Sequence, residues 1–121
     1  MEHLPGILKA MGIDKVKMTH MYYGGRTVPE YNNGFATVND YRCYECNPGA
    51  AGWTESMNKT IKEVAASEQW DVVTIQEHTG KVNAWKWTSA EKEALQGLID
   101  NVKSTQTGAM PRFYYILSQA Y

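Results

Sequence analysis

The sequence predicts an open α/β sandwich, a mostly parallel sheet with helices on its faces, and three observations lead there. Stretches with helical spacing alternate with stretches fit for strands, in the order αβαβαβ. One of the strand-like stretches, DVVTIQ at 71–76, is apolar almost without interruption, the pattern of a parallel strand covered on both faces. The candidate strands also end in glycine or polar residues, at Tyr23-Gly24-Gly25-Arg26, Gln76-Glu77-His78 and Ser118-Gln119. Ligands of open α/β sheets sit beyond such carboxyl ends, and each crossover between parallel strands is expected to be right-handed.

Taken in order, Leu4, Ile7, Leu8 and Met11 recur at helical spacing, with Pro5 in the first turn and Gly12 placed to end a short helix. In KVKMTHMYYGG, Val16, Met18, His20 and Tyr22 share one side of a strand that two glycines stop. Residues 27–53 are rich in Asn, Gly, Pro and Tyr and read as a long irregular excursion, expected to cover something. Met57, Ile61, Val64 and Ala65 predict a second helix beginning near Thr54, and the strand DVVTIQ follows. After the loop EHTGKVNAWKW, Thr88 and Glu91 have the form of a capping box, and Leu95, Leu98, Ile99 and Val102 give a third helix its inner face. Gly108 and Pro111 punctuate, and RFYYILS is the third strand. Three strands make a narrow sheet, and an α/β domain seldom opens on a helix. A strand is therefore expected before the first helix, and its position leads to an expectation of self-association through the unpaired sheet edge.

A chain of 121 residues is one domain, 1–121, long enough to bury a core. Its formal net charge is −1, and its Lys and Arg are scattered, so no basic stripe is present to track phosphates and no nucleic-acid partner is expected. No apolar run is long enough to span a bilayer, and MEHLPGILKAMG lacks a basic start followed by a sustained apolar core. No membrane partner is expected, and with Met1 as the start the chain reads as soluble and untargeted. Cys43 and Cys46 have the C-x-x-C spacing of a redox pair, half a metal site, a small disulfide or two unrelated thiols. Their setting among Asn, Pro and Gly favours a loop with a local disulfide or free thiols. With no second C-x-x-C and no H-x-x-x-H, no metal and no cofactor are expected.

The candidate chemistry gathers at the strand ends. Gly24 and Gly25 leave the backbone N–H groups of a turn unshielded, as an oxyanion requires, although a plain tight turn has the same signature. No G-x-x-x-x-G-K-[ST] and no G-x-G-x-x-G is present, so nucleotide binding loses support. Gln76 can donate its amide N–H to a developing oxyanion, and one such donor is worth roughly 3 kcal/mol of transition-state stabilisation. Arg26, Glu77 and His78 line the same strand ends as candidates for substrate binding, with a plain polar rim as the rival reading of Glu77 and His78. His20 reads as a strand histidine. Ser118 ends a strand without a G-x-S-x-G elbow, and no complete triad can be assembled.

MYYGGRTVPEYNNG, WDVVTIQEHTG and RFYYILSQAY, in this order and spacing, resemble the middle portion of SGNH (GDSL-like) hydrolases, in particular a bacterial branch classed as a domain of unknown function. The resemblance extends over nearly the whole chain. It implies a flavodoxin-like sandwich and an esterase acting on acyl groups carried by sugars or lipids. In that family a Gly-Asp-Ser or Gly-Asn-Ser block follows the first strand and an Asp-x-x-His block lies near the C-terminus; neither occurs here. The resemblance therefore implies a central fragment, inactive alone, that carries the oxyanion side of the site. Gly25 or Gly24 matches the family's donor glycine, and Gln76 stands where an asparagine is usual, leaving the donor to Gln76 or to His78. The expected substrate is a glycan or small-molecule ester. A rival from another class is a non-catalytic carbohydrate-binding module that uses aromatic loops and the Gln76, Glu77 and His78 rim. A weaker third is a thiol-based redox protein.

Overall fold

The structure, a computed structural model, describes residues 3–77 and 87–116. It is a mixed α/β fold with two separate sheets. The elements in chain order are α1 (Leu4–Ala10), β1 (Met18–Tyr22), α2 (Val28–Asn33), β2 (Arg42–Cys46), β3 (Thr54–Ser56), α3 (Ile61–Ala66), β4 (Val72–Gln76), α4 (Ser89–Ser104) and β5 (Arg112–Ile116). β4 pairs with β5 in parallel, as the alternation predicts, with Val73 opposite Phe113 and Gln76 opposite Ile116. β1 is not in that sheet. It pairs antiparallel with β2, which pairs antiparallel with β3, so the expected sheet of three parallel strands is corrected to a sheet of three antiparallel strands and a sheet of two parallel ones.

The difference originates in residues 27–53. This stretch supplies α2, whose first turn contains Pro29, and β2, the centre of the antiparallel sheet. β2 offers a partner close in sequence to β1, and antiparallel strands need no long crossover. The helix expected to begin near Thr54 begins at Ile61 instead. Thr54–Ser56 is β3, and Thr60 caps α3 by a reciprocal box in which Thr60 Oγ1 accepts from Glu63 N and Thr60 N donates to the Glu63 carboxylate. The box at Thr88 and Glu91 opens α4 as the sequence predicts.

The core is Val28, Phe35, Ala65, Ile75, Leu98 and Val102, with Val73, Phe113 and Tyr115 packed against them. Helices α2, α3 and α4 thus cover one face of the parallel sheet. α2 and α4 approach closely because Gly97 has no side chain: a Cβ there would lie 2.8 Å from the Asn32 amide nitrogen. That amide side chain in turn accepts a hydrogen bond from Asn101 at 2.9 Å. The buried Gln106, just after α4, ties α3 to the segment before β4 by donating to Ala65 O at 2.8 Å and accepting from Trp70 N at 2.8 Å, and so fixes where the chain enters β4.

The expectation that DVVTIQ is covered on both faces is also corrected. Val73 and Ile75 face the helices, while Val72, Tyr114 and Ile116 are exposed on the opposite face. Cys43 and Cys46 lie on β2 and not in a loop; both are buried free thiols. Side chains three apart on a strand point to opposite sides of the sheet, so the spacing that suggests a pair places these sulfurs apart. Burial raises the Cys43 thiol above its ordinary range, the opposite of what a reactive thiolate needs. No helix among the described residues is long and apolar enough to cross a membrane.

Candidate functional site

The carboxyl end of β4 is a junction of three elements, β4, α2 and β5, and Glu77 is its centre. Alternation along β4 puts Val73, Ile75 and Glu77 on the helical side and Val72, Thr74 and Gln76 on the outer side. Glu77 is therefore turned inward and is only 5% exposed. One carboxylate oxygen accepts from Val28 N, the first residue of α2, at 2.8 Å; the other accepts from the Tyr115 hydroxyl of β5 at 3.2 Å. Thr27, the residue before α2, gives that helix no side-chain cap, so the carboxylate of Glu77 satisfies a backbone donor left open there. The Tyr31 hydroxyl adds a second tie by donating to Gln76 O at 3.2 Å.

These contacts raise both phenols. Burial, then the nearby Tyr41 and Glu77, push Tyr31 up to about 12; burial and the adjacent Glu77 carboxylate push Tyr115 well above the ordinary tyrosine range. Each hydroxyl stays protonated near neutral pH and serves as a donor. Trp87 closes the far side of Tyr115, edge to face with ring centroids 5.2 Å apart.

The diglycine turn lies between β1 and α2, three residues before the helix that Glu77 holds. Gly25 has φ +81°, a conformation that favours glycine, so the turn reading of the pair is observed. The next residue, Arg26, is fixed on all sides. Its guanidinium makes a two-pronged ion pair with Asp40 at 2.7 and 3.1 Å, lies 3.7 Å from the Tyr23 ring centroid and 4.8 Å from that of Tyr41, and its side chain is only 13% exposed. The hydrogen bond to Asp40 raises the Arg26 guanidinium and holds the Asp40 carboxyl below its usual range. A planar guanidinium paired this way and stacked on rings is a rigid anchor.

The structure thus brings the loop carrying Gly24, Gly25 and Arg26 to the end of β4 through α2 and Glu77. Gln76 occupies the last position of β4 with its side chain exposed on the outer side, while Val28, the first residue of the helix after the loop, donates to Glu77. Glu77 and Arg26, expected at the substrate, have their charged groups engaged by Val28, Tyr115 and Asp40. His78 and Ser118 lie outside the described residues. An open surface recess formed by Glu45, Asn58, Lys59, Glu63, Val64 and Ser67 lies elsewhere and holds none of these residues. Among the described residues no group of three or more His, Cys, Asp or Glu is placed to hold a metal ion. Sequence reasoning missed the roles of Tyr31 and Tyr115. Tyr115 lies opposite Ile75, one step before Glu77, in a register that only the pairing of β4 with β5 reveals.

The fold is similar to that of a DUF4886 family protein from Bacteroides uniformis, a bacterial protein of a family of unknown function, whose crystal structure superposes with a TM-score of 0.73 at 19% identity. The match covers 93% of this chain and 41% of that one, so the chain spans less than half the length of its structural neighbour. At this identity the likeness concerns the fold alone. No protein-family model matches the chain, and no curated protein matches it.

Proposed function

We propose that the chain contributes the oxyanion side of an SGNH-type ester hydrolase acting on acylated carbohydrate, within a flavodoxin-like sandwich larger than the 121 residues. The observation that carries this reading is the docking of the glycine turn. A glycine bend, with φ +81° at Gly25, precedes a helix held to the carboxyl end of a parallel strand by the buried Glu77. Preorganised backbone donors at such an end stabilise charge as it develops on an ester carbonyl oxygen. The Gly25 N–H is the donor on which the reading leans, with Gln76, exposed at the last position of β4, as the second expected donor. In the reaction, a serine attacks the ester carbonyl, a histidine takes the serine proton and returns it to the leaving alcohol, and water then releases the acid from the acyl-enzyme. Both groups come from sequence outside the 121 residues in this reading.

The test is p-nitrophenyl acetate hydrolysis by the chain alone and by a protein extended through its flanking coding sequence. The chain alone is expected to be inert and the extended protein active. Turnover by the chain alone that Ser118→Ala abolishes would overthrow this assignment, as would flanking sequence without a serine block and a later Asp-x-x-His.

A further inference from the structure

We infer that the buried Tyr41 is a positioning residue for the proposed oxyanion site: with Tyr23, Arg26 and Tyr31 it forms a strut that runs from the diglycine turn to the backbone of Gln76. What the strut serves rests on the esterase reading; the strut itself does not.

A diglycine needs such a support. Glycine accepts backbone conformations that other residues avoid, so nothing in Gly24 or Gly25 themselves holds Gly25 at φ +81°. Glu77 holds Val28, three residues further on, and by itself would leave the bend free to swing about the intervening Arg26 and Thr27. The glycines are fixed instead by the residues that flank them, Tyr23 and Arg26, and both of these contact Tyr41.

The antiparallel register brings Tyr41 there. The last paired residues of β1 and β2 are Tyr22 and Arg42, so the next step of the ladder sets Tyr23 across from Tyr41, and their rings meet edge to face with centroids 6.4 Å apart. Arg26 closes the bend from its other end. Its guanidinium lies 3.7 Å from the Tyr23 ring centroid and 4.8 Å from that of Tyr41, so the two residues that bracket the glycines touch each other as well as Tyr41. Asp40, the neighbour of Tyr41 in sequence, holds the same guanidinium with two hydrogen bonds, and Arg26 Nε lies 3.8 Å from the Glu30 carboxylate of α2. Tyr41 is 1% exposed, and its ring is the part that makes these contacts.

From Tyr41 the strut continues to the parallel sheet. Its ring centroid lies 6.3 Å from that of Tyr31 on α2, and the Tyr31 hydroxyl donates to Gln76 O at 3.2 Å. The turn and the last residue of β4, which carry the two expected donors, are thus joined by a route separate from the bond between Val28 and Glu77. Donors fixed before the substrate arrives need no reorganisation as charge develops.

The experiment follows the Gly24 and Gly25 amides of the 121-residue chain by nitrogen-15 relaxation. In the unmodified chain both are expected to be rigid, with order parameters of about 0.85, and to fall below about 0.6 in Tyr41→Ala, while Tyr41→Phe, which keeps the ring, stays rigid. Should loss of the buried ring unfold the sheet, Tyr23→Ala, at a position 42% exposed, reports on the same bend, and its glycine amides are expected to loosen likewise. In the protein extended through its flanking coding sequence, Tyr23→Ala should lower kcat for p-nitrophenyl acetate about tenfold and change KM less than about twofold, since the donors act on charge present only in the transition state. Glycine amides mobile in the unmodified chain, as rigid in Tyr23→Ala as without it, or mobile in Tyr41→Phe would each overturn the inference. So would an extended protein that hydrolyses the ester at a kcat indifferent to Tyr23→Ala, a result that leaves the esterase reading standing. An extended protein that hydrolyses no ester would remove that reading and leave the strut to the order parameters.

Discussion

The two sheets of this molecule treat their outer faces differently. On one face of the antiparallel sheet Tyr22, Arg42 and Glu55 are exposed and His20 and Tyr44 half-buried, with Pro5 and Leu8 of α1 near the end where Met18 and Cys46 lie. Among the described residues the parallel sheet is covered by helices on one side only, and on the other it exposes Val72, Tyr114 and Ile116 at 50%, 51% and 42%. The first face has the composition of a finished surface. The second has the composition of an interior, because strands in parallel sheets are ordinarily covered on both faces. Exposure of a side chain is therefore not one thing here: on one sheet it falls on a tyrosine and charged groups, on the other it leaves apolar area in search of a cover.

Substitutions that distinguish the covered face from the bare one test this contrast most directly. Leu98→Ala, in the helical layer against the inner face of β4 and β5, is expected to destabilise by about 3 kcal/mol in urea unfolding, through lost burial and a residual cavity. A loss under about 1 kcal/mol would mean that the helices do not pack on that sheet as described. Glu77→Ala comes next. It leaves the Val28 N–H and the Tyr115 hydroxyl without their carboxylate, for an expected cost of about 2–4 kcal/mol in the same measurement. A near-neutral Glu77→Ala would remove the junction from any account of how the glycine turn is placed. The smallest effect on folding belongs to the bare face. Val72→Lys should change stability by no more than about 0.5 kcal/mol. In sedimentation it should nonetheless suppress a self-association that the unmodified chain shows as its concentration rises. A strictly monomeric wild-type chain would contradict the reading of this face as an uncovered interior.

Much of the local structure was legible because its signals are local. A diglycine after an alternating strand announces a turn, and Gly25 has the positive φ that only a few residues accept with ease. Thr88 and Glu91 announce a helix start through a reciprocal bond spanning three residues. The same grammar was available at Thr60 and Glu63 and places the start of α3 better than the apolar spacing from Met57 does, since the capping bonds fix the first turn whereas apolar spacing only marks a face. β2 was hidden for a physical reason: Cys43 and Cys46 are buried on opposite sides, so RCYEC shows no clean alternation to mark it as a strand.

Glu77 shows where local reading ends. Sequence placed a carboxylate at the mouth of a strand beside Gln76 and could not say which of the two faces the helices, because that depends on which side of β4 is covered. Once the helices choose Val73 and Ile75, the pleat turns Glu77 inward onto Val28 and Tyr115 and sends Gln76 outward. The sequence by itself determined the turn, the helix caps and the parallel pairing of β4 with β5, all of which rest on interactions within a few residues or on apolar continuity. The tertiary structure alone decided that β1 pairs with β2 and that a candidate substrate-binding acid is a buried brace. Both depend on which surfaces meet, and that is settled by burial summed over the whole chain.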